Sequence, residues 1–325
     1  MPRLLCACLA AAVVLAACGG GSGSGSGGGA GSSGTTGTTA SGQIQRNPAN
    51  AKVALRIGSK NFTEQKVLGQ IFVQGLAAAG YKTTADLGIG DERATFGALR
   101  AGRIDAYPEY TGTALLSFFG KRASQLPRDP QEAFDQAAAG FARDGFVAFP
   151  PTPFTNSNEV AVTKRTADRL HLSKISDLSR VAHKLVLAGP PECRHRRDCL
   201  VGLQQVYGLH FKRFMPVPIG ERHKVLVSGD ADVSIVFTTD PEIKRNDEVL
   251  LRDDRGMLPP YNSTLVMRRP LAAKAGSSLR NAIELLQRPL TDDAMQELDA
   301  RVDLDHKSPA EVAREYLHET GLVKG

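Results

Sequence analysis

The pattern of apolar positions after residue 51 alternates between two periods. Short runs rich in apolar and β-branched residues predict strands, and longer stretches with apolar residues at i, i+3 and i+4, such as 63–79, predict amphipathic helices. Because strands and helices alternate along the chain, this order predicts an α/β fold with mainly parallel sheets. The strands are predicted at 53–57, 83–87, 146–149, 160–163, 185–188, 233–237 and 264–267, and the other helices at 92–101, 130–143, 199–207, 271–287, 292–302 and 309–320.

Two proline-rich breaks divide the part of the chain that carries this pattern. Residues 149–153 read Phe-Pro-Pro-Thr-Pro and residues 258–261 read Leu-Pro-Pro-Tyr, and each is followed by an extended run. They bracket 156–260 as an inserted second lobe and leave 52–155 with 261–325 as the first lobe. Two crossovers that join two lobes form a hinge, with the ligand cleft between the lobes. Two unrelated surface loops are the alternative interpretation of the same prolines.

The first residues carry the features of a secretory signal. Arg3 is the only charged residue before an apolar stretch over 4–17, which is too short to span a bilayer as a permanent helix. A basic start, a short apolar core and small residues at its end predict a signal peptide over 1–17. Cys18 follows Leu-Ala-Ala, which resembles the lipobox of bacterial lipoproteins, where the cysteine is acylated and becomes the mature N-terminus. The alternative is an ordinary signal peptide followed by a chance cysteine.

The segment after Cys18 differs in composition from the rest of the chain. Residues 19–42 contain 12 Gly, 6 Ser, 4 Thr and 2 Ala, without a charge or a large side chain. Such a segment cannot bury enough apolar surface to order itself. We therefore expect residues 18–51 to be a lipidated, flexible tether that anchors an extracytoplasmic protein to the cell membrane.

Composition and charge exclude several classes of protein. The chain is 42% hydrophobic, too apolar for a disordered chain, but it lacks the repeated apolar runs of about 18 residues that a polytopic membrane protein would have. Its formal net charge of +6 comes from basic residues interleaved with acidic ones. Because no basic stripe lies beside stacking aromatic residues, no nucleic-acid partner is expected.

Two of the five cysteines remain once the signal peptide and Cys18 are set aside. Cys193 and Cys199 form one pair in an oxidising compartment, which favours a disulfide. A metal site, with His195 as an added ligand, is the alternative. None of the seven His residues pairs with another at a metal-like spacing, so neither a metal nor a cofactor is expected.

Three segments together carry a family resemblance. They are 58–65 (Gly-Ser-Lys-Asn-Phe-Thr-Glu-Gln), 105–113 (Asp-Ala-Tyr-Pro-Glu-Tyr-Thr-Gly-Thr) and 237–241 (Phe-Thr-Thr-Asp-Pro). From about residue 53 to its end, the chain resembles the substrate-binding proteins of osmoprotectant ABC transporters, which take up glycine betaine, choline or carnitine. The resemblance implies a two-lobed periplasmic-binding-protein fold of type II that closes on its ligand and docks to an ABC permease with its ATPase.

Relatives in that family hold a quaternary ammonium group in a box of Tyr rings and place a Lys or Arg at the ligand's carboxylate. A trimethylammonium group has no N–H to donate, so aromatic faces hold it, each favourable contact contributing about 0.5–2 kcal/mol. A carboxylate suits the fork of donors that Arg supplies. The resemblance implies ligand contacts at Lys60, Gln65, Tyr110, Thr113, Tyr261 and Arg197. Arg194 and Arg196 are alternatives to Arg197 as the arginine that binds the ligand's carboxylate.

Two positions depart from the family pattern. Many relatives have Tyr where Asn158 and Phe237 stand in this chain. Phe237 keeps an aromatic face, whereas Asn158 would instead hydrogen-bond a more polar ligand. The implied site residues also have structural alternatives: Tyr110 could pack the start of a helix, Lys60 could be a solvated surface charge, and Asp240 could cap a helix.

The function implied is that of an extracytoplasmic lipoprotein that delivers a small quaternary amine, such as glycine betaine or choline, to an ABC importer. Alternatives are the same fold binding another zwitterion, such as ergothioneine or an amino acid, and a solute sensor. An enzyme on the same fold is a further alternative, because a fold does not fix a function. The chain shows no Gly-x-Ser-x-Gly or His-Glu-x-x-His motif and no cysteine left for catalysis, so we do not expect an enzyme.

Overall fold

The computed structural model describes residues 42–122 and 125–324. The signal peptide over 1–17, Cys18 and most of the expected tether lie outside these residues. The last ten residues of that expected tether lie against the folded body: the N–H of Ile44 donates to the carbonyl of Leu322 (2.9 Å), and buried Asn50 donates through Nδ2 to the carbonyl of Ala79 (2.8 Å). The compact unit therefore begins at Gly42 rather than at residue 52.

The described residues form ten strands and eleven α-helices, besides short 3₁₀ and π turns. The strands are β1 (Ala54–Gly58), β2 (Lys82–Asp86), β3 (Ala106–Tyr110), β4 (Phe146–Ala148), β5 (Asn158–Thr163), β6 (Val186–Gly189), β7 (Arg213–Pro216), β8 (Val233–Phe237), β9 (Glu248–Leu251) and β10 (Ser263–Arg268). The helices are α1 (Thr63–Ala78), α2 (Glu92–Arg100), α3 (Thr111–Thr113), α4 (Pro130–Arg143), α5 (Lys164–Leu170), α6 (Leu200–Tyr207), α7 (Arg222–Ser228), α8 (Glu242–Arg245), α9 (Arg269–Gln287), α10 (Asp292–Asp303) and α11 (Pro309–Glu319).

The strands form two five-stranded sheets with the same topology. The first has the order β2-β1-β3-β10-β4 and the second the order β7-β6-β8-β5-β9. Each is a mixed sheet in which four strands run in one direction and one is reversed: β10 runs antiparallel to β3 and β4, and β5 runs antiparallel to β8 and β9. These two strands begin at the crossovers, where their neighbours end: Ser263 lies opposite Tyr110, and Asn158 lies opposite Phe237.

Each sheet packs its own hydrophobic core. In the first, α1 and the C-terminal helices bury Leu68, Phe72 and Leu286 against one face, and Phe141 lies in the core of the other face. The second sheet carries a separate core that includes Leu187. The two crossovers run side by side, joined by an antiparallel bridge between Thr155 and Asn262. The α/β fold with two lobes and two crossovers is therefore confirmed.

Several elements were not predicted from the pattern. β3 was missed because Pro108 interrupts its pattern. The pairing of β3 with β1 is confined to Ala106 opposite Ile57, so the N–H that Pro108 lacks is not needed for a hydrogen bond to β1. β7, β9, α5 and α7 were missed because each is shorter than eight residues and shows too little periodicity to recognise. No helix in the described part of the chain is long and apolar enough to cross a membrane.

Candidate functional site

A small cavity lies between the lobes, where the ends of β3 and β8 meet the crossovers. Its volume is about 40 Å³, and it shares a wall with a wider cleft of about 640 Å³. Six of the eight residues implied by sequence line the cavity: Lys60, Tyr110, Thr113, Asn158, Phe237 and Tyr261. The other lining residues are Asn61, Phe62, Asp91, Glu92, Asn156, Glu192, Arg196 and Ile219.

The ends of the strands place these side chains. Tyr110 is the last residue of β3 and Phe237 the last of β8, whereas Asn158 is the first residue of β5. Tyr261 lies two residues before β10 and packs closely on the turn after β3. A Cβ added to Gly112 would lie 2.7 Å from the ring of Tyr261, so this approach requires glycine.

Aromatic rings from both lobes meet at the cavity. The ring of Phe62 lies 6.3 Å from that of Tyr110 and 5.3 Å from that of Phe237, measured between centroids. Phe62 therefore connects a ring of the first lobe to a ring of the second. Phe62 lies in the first of the three motifs, but no role for it was predicted from the sequence; its position directly before α1, beside Lys60, was the available signal.

Lys60 is a buried, paired charge and not a solvated one. Its Nζ lies 2.5 Å from Oε1 of Glu109 and 4.3 Å from the centroid of the Tyr110 ring, and only 4% of the residue is exposed. Glu109 also accepts hydrogen bonds from the Tyr107 hydroxyl (2.9 Å) and from the backbone N–H of Tyr110 (2.7 Å). Burial, together with the charge of Glu109, raises the pKa of Tyr107 well above its usual value.

Arg196, rather than Arg197, points into the cavity. Arg196 forms a salt bridge with Asp198, and its Nη1 lies 3.2 Å from Oε2 of Glu92 in the first lobe. Arg197 turns away and donates through Nη1 to the carbonyls of Gly120 (2.8 Å) and Lys121 (2.6 Å). Of these two neighbouring arginines, Arg196 lines the cavity and Arg197 does not.

Asp198 is a functional candidate that sequence reasoning missed. Its Oδ2 accepts hydrogen bonds from the Tyr261 hydroxyl (2.5 Å) and from Nδ2 of Asn158 (2.9 Å). Burial opposes its ionisation, but Arg196 holds the pKa of Asp198 below its usual value. The disulfide between Cys193 and Cys199, with Cα atoms 5.3 Å apart, closes the loop that carries Asp198. No local pattern marked this residue, because Asn158 and Tyr261, its partners at the cavity, are distant in sequence.

Glu64 and Gln65 lie behind the cavity wall. Glu64 accepts hydrogen bonds from the Tyr110 hydroxyl, from Nδ2 of Asn156 (2.8 Å) and from Oγ1 of Thr239 in the second lobe (2.7 Å). Burial raises the pKa of Glu64. Gln65 does not line the cavity; its Oε1 accepts from the backbone N–H of Lys60 (3.3 Å), so it supports the loop that carries the lysine.

Asp240 links elements of the second lobe. It accepts hydrogen bonds from the N–H of Phe237 (2.7 Å), from Nη2 of Arg222 (2.8 Å) and from Nε2 of His223 (2.9 Å). It therefore fixes the end of β8 rather than simply capping a helix. Burial acts to lower the pKa of His223, but the hydrogen bonds that it donates to Asp240 and Glu248, together with their charges, raise the pKa to about 9. Among residues 42–122 and 125–324, no group of three His, Cys, Asp or Glu side chains could hold a metal ion.

Comparison with known proteins gives consistent matches. Residues 53–319 match the family described as the substrate binding domain of ABC-type glycine betaine transport systems. A glycine-betaine-binding protein of Pseudomonas aeruginosa is 32% identical over 287 residues, covering 83% of this chain and 88% of that protein. An ergothioneine transport permease/ergothioneine binding protein of Helicobacter pylori is 28% identical over 86% of this chain, which spans 50% of that longer protein. The crystal structure of a glycine betaine/carnitine/choline ABC transporter superposes with a TM-score of 0.66 at 26% identity, covering 82% of this chain and 98% of the other.

Proposed function

Because the chain belongs to the family of substrate-binding domains of ABC-type glycine betaine transport systems, we propose that it binds a small quaternary amine and delivers it to an ABC importer. The receptor works outside the cytoplasm and passes its ligand to a permease that is driven by an ATPase. It acts as a carrier and not as an enzyme. One observation carries the choice of ligand: rings from both lobes converge on a buried cavity that also contains paired charges.

The rings provide the faces for the quaternary ammonium group. Tyr110 and Phe62 contribute from the first lobe, Phe237 from the second, and Tyr261 from the return crossover. A cation against an aromatic face inside a desolvated cavity gains up to about 2 kcal/mol per ring. These rings are therefore the proposed determinants of affinity for quaternary amines.

The polar side of the cavity provides the remaining contacts. We assign Thr113, Asn158, Lys60 and Arg196 to this side, with Arg196 in place of Arg197. Arg196 reaches from the second lobe to Glu92 of the first, so the same side chain links closure of the lobes to the ligand cavity.

Access requires the lobes to separate. A cavity of about 40 Å³ has room for only a few water molecules, far less than a quaternary amine needs. We propose that the lobes, 52–155 with 261–325 and 156–260, rotate about the paired crossovers and close on the ligand. The hydrogen bond from Thr239 to Glu64 then forms one of the contacts of the closed state.

Ergothioneine is a second candidate ligand. It also carries a trimethylammonium group and a carboxylate, and a relative that is 28% identical bears its name. The amide of Asn158, hydrogen-bonded to Asp198, gives this cavity a polar group where many relatives have a ring. That polar group favours a ligand with additional hydrogen-bonding atoms.

A thermal-shift series with the purified protein tests this function. Glycine betaine, choline, carnitine, proline betaine and ergothioneine are compared with common amino acids at equal concentration. We expect at least one quaternary amine to raise the melting temperature, because a ligand that binds only the folded state stabilises it. Stabilisation by an ordinary amino acid and by no quaternary amine would overturn the proposal.

A further inference from the structure

One part of the cavity is already a complete site for a cation. The face of the Tyr110 ring and the carboxylate of Glu109 both lie next to the Nζ of Lys60, and the Phe62 ring lies nearby. We call the Tyr110 face together with Glu109 the cation site. A buried carboxylate next to an aromatic face is a strong environment for a single positive charge.

The ammonium group of Lys60 occupies this cation site. Its Nζ lies 4.3 Å from the Tyr110 centroid, 5.9 Å from that of Phe62 and 2.5 Å from the carboxylate of Glu109. The charge of Lys60 is therefore neutralised within the protein, and its place over the ring is the place that a ligand's ammonium group would take.

We propose that Lys60 is a tethered occupant of the cation site, which a ligand's ammonium group must displace in order to bind. This inference rests on the proposed function, since it concerns how a quaternary amine enters the same cavity. In a simpler role, Lys60 would only attract the ligand's carboxylate. Here Lys60 first competes with the ligand's ammonium group for the cation site, and only after it is displaced can it pair with the ligand's carboxylate.

The exchange discriminates between ligands. A zwitterion that displaces Lys60 brings a carboxylate with which the released ammonium group can pair. A plain cation such as choline brings no such partner, and it places a second positive charge close to Lys60. Lys60 therefore disfavours plain cations relative to zwitterions.

The test is the ratio of the dissociation constant for choline to that for glycine betaine, measured by calorimetry with the purified full-length protein. In Lys60→Met, the ring face is free and Glu109 lacks a partner, which choline can supply. The same substitution removes the partner of a zwitterion's carboxylate. We expect the ratio to fall by about tenfold or more.

Two further variants control for net charge and for loss of folding. Lys66→Met removes one positive charge from α1 beside the wider cleft, outside the cavity, and should leave the ratio unchanged. If Lys60→Met does not fold because Glu109 is left unpaired, Lys60→Met combined with Glu109→Gln removes both charges, and the ratio must still fall.

The outcomes distinguish this inference from the proposed function. If the wild-type protein binds a quaternary amine and the ratio for the Lys60 variants is unchanged or higher, the inference is wrong and the proposed function stands. An equal fall in Lys66→Met would attribute the effect to net charge and would also overturn the inference. If neither the wild-type protein nor any variant binds glycine betaine, choline or another quaternary amine, the proposed function itself fails.

Discussion

The hydroxyl of Tyr261 donates a 2.5 Å hydrogen bond to the carboxylate of Asp198, and so joins the return crossover to the second lobe. The same carboxylate accepts from Arg196 and Asn158, so one buried charge orients side chains on several walls of the cavity. Burial, followed by the negative charge of Asp198, raises the pKa of Tyr261 well above its usual value. The hydroxyl therefore remains a donor throughout the physiological range of pH.

Removing only this hydroxyl should weaken the protein measurably. Tyr261→Phe keeps the ring in the cavity but removes one donor to a buried carboxylate, so we expect the free energy of unfolding to fall by about 1–3 kcal/mol in a urea titration. Tyr316→Phe, which removes a hydrogen bond of 2.7 Å to the uncharged carbonyl of Leu286, is the matched control and should cost less. Equal losses of unfolding free energy in the two variants would show that the hydrogen bond from Tyr261 to the charged Asp198 stabilises the protein no more than one to an uncharged carbonyl.

The reassignment from Arg197 to Arg196 leads to a direct comparison. Arg196→Gln leaves Asp198 and Glu92 without a buried cationic partner, so glycine betaine affinity should fall by about tenfold or more. Arg197→Gln removes two hydrogen bonds to backbone carbonyls of the first lobe, outside the cavity, and should change affinity by less than about threefold. A larger loss in Arg197→Gln would restore the assignment made from sequence.

Asp299 should make the folded protein sensitive to pH. Burial, followed by the charge of Glu64, raises the pKa of Asp299 well above its usual value, and its Oδ1 has no hydrogen-bond partner among the described residues. The unfolded chain releases this proton near pH 4, whereas the folded chain retains it. The folded state then binds more protons, so its stability falls as pH rises above about 4.

Asp299→Asn should remove the loss of stability that Asp299 causes above about pH 4. The variant should unfold at a higher urea concentration than the wild type at pH 7.5, and the difference should disappear towards pH 4. Asp305→Asn, at an exposed aspartate close to the end of the same helix, is the control and should show no such gain. A gain of equal size at both pH values would mean that Asp299 acts through packing and not through its proton.

The membrane anchor can be tested separately from ligand binding. If Cys18 is lipidated, the wild-type protein should be found in the membrane fraction, and Cys18→Ala should release it into the soluble extracytoplasmic fraction. Immunoblots of the fractions give the result. Retention of Cys18→Ala at the membrane would place the anchor elsewhere in the chain.

The parts of the fold that were predicted well are those whose pattern is long and local. The helix over 130–143 matches α4, because Asp129 caps its start and Pro130 occupies its first turn. The strand over 233–237 matches β8, because four of its five residues are apolar and Ser234 is its only polar member. The direction of β10 could not be predicted, since it depends on where the chain returns from the second lobe.

A motif alone did not decide which residues line the cavity, because Asn158 and Tyr261 lie outside the three motifs and line it, whereas Gln65 lies inside one and does not. Tyr110 and Lys60 lie in long motifs and reach the cavity, whereas the choice between Arg196 and Arg197 depends on side-chain direction in an irregular loop. Asp198 and Phe62 act through partners that are far away in sequence. Their roles emerge only when the two lobes are brought together.

Calorimetric titration of the purified protein with glycine betaine and choline tests the central claim most directly, with Tyr110→Phe and Tyr110→Leu as matched variants. We expect saturable binding of at least one quaternary amine, retained in Tyr110→Phe, which keeps the aromatic face. Tyr110→Leu keeps apolar volume but loses that face, so its affinity should fall by about tenfold. Unchanged affinity in Tyr110→Leu, or the absence of any quaternary-amine binding by the wild type, would contradict the account.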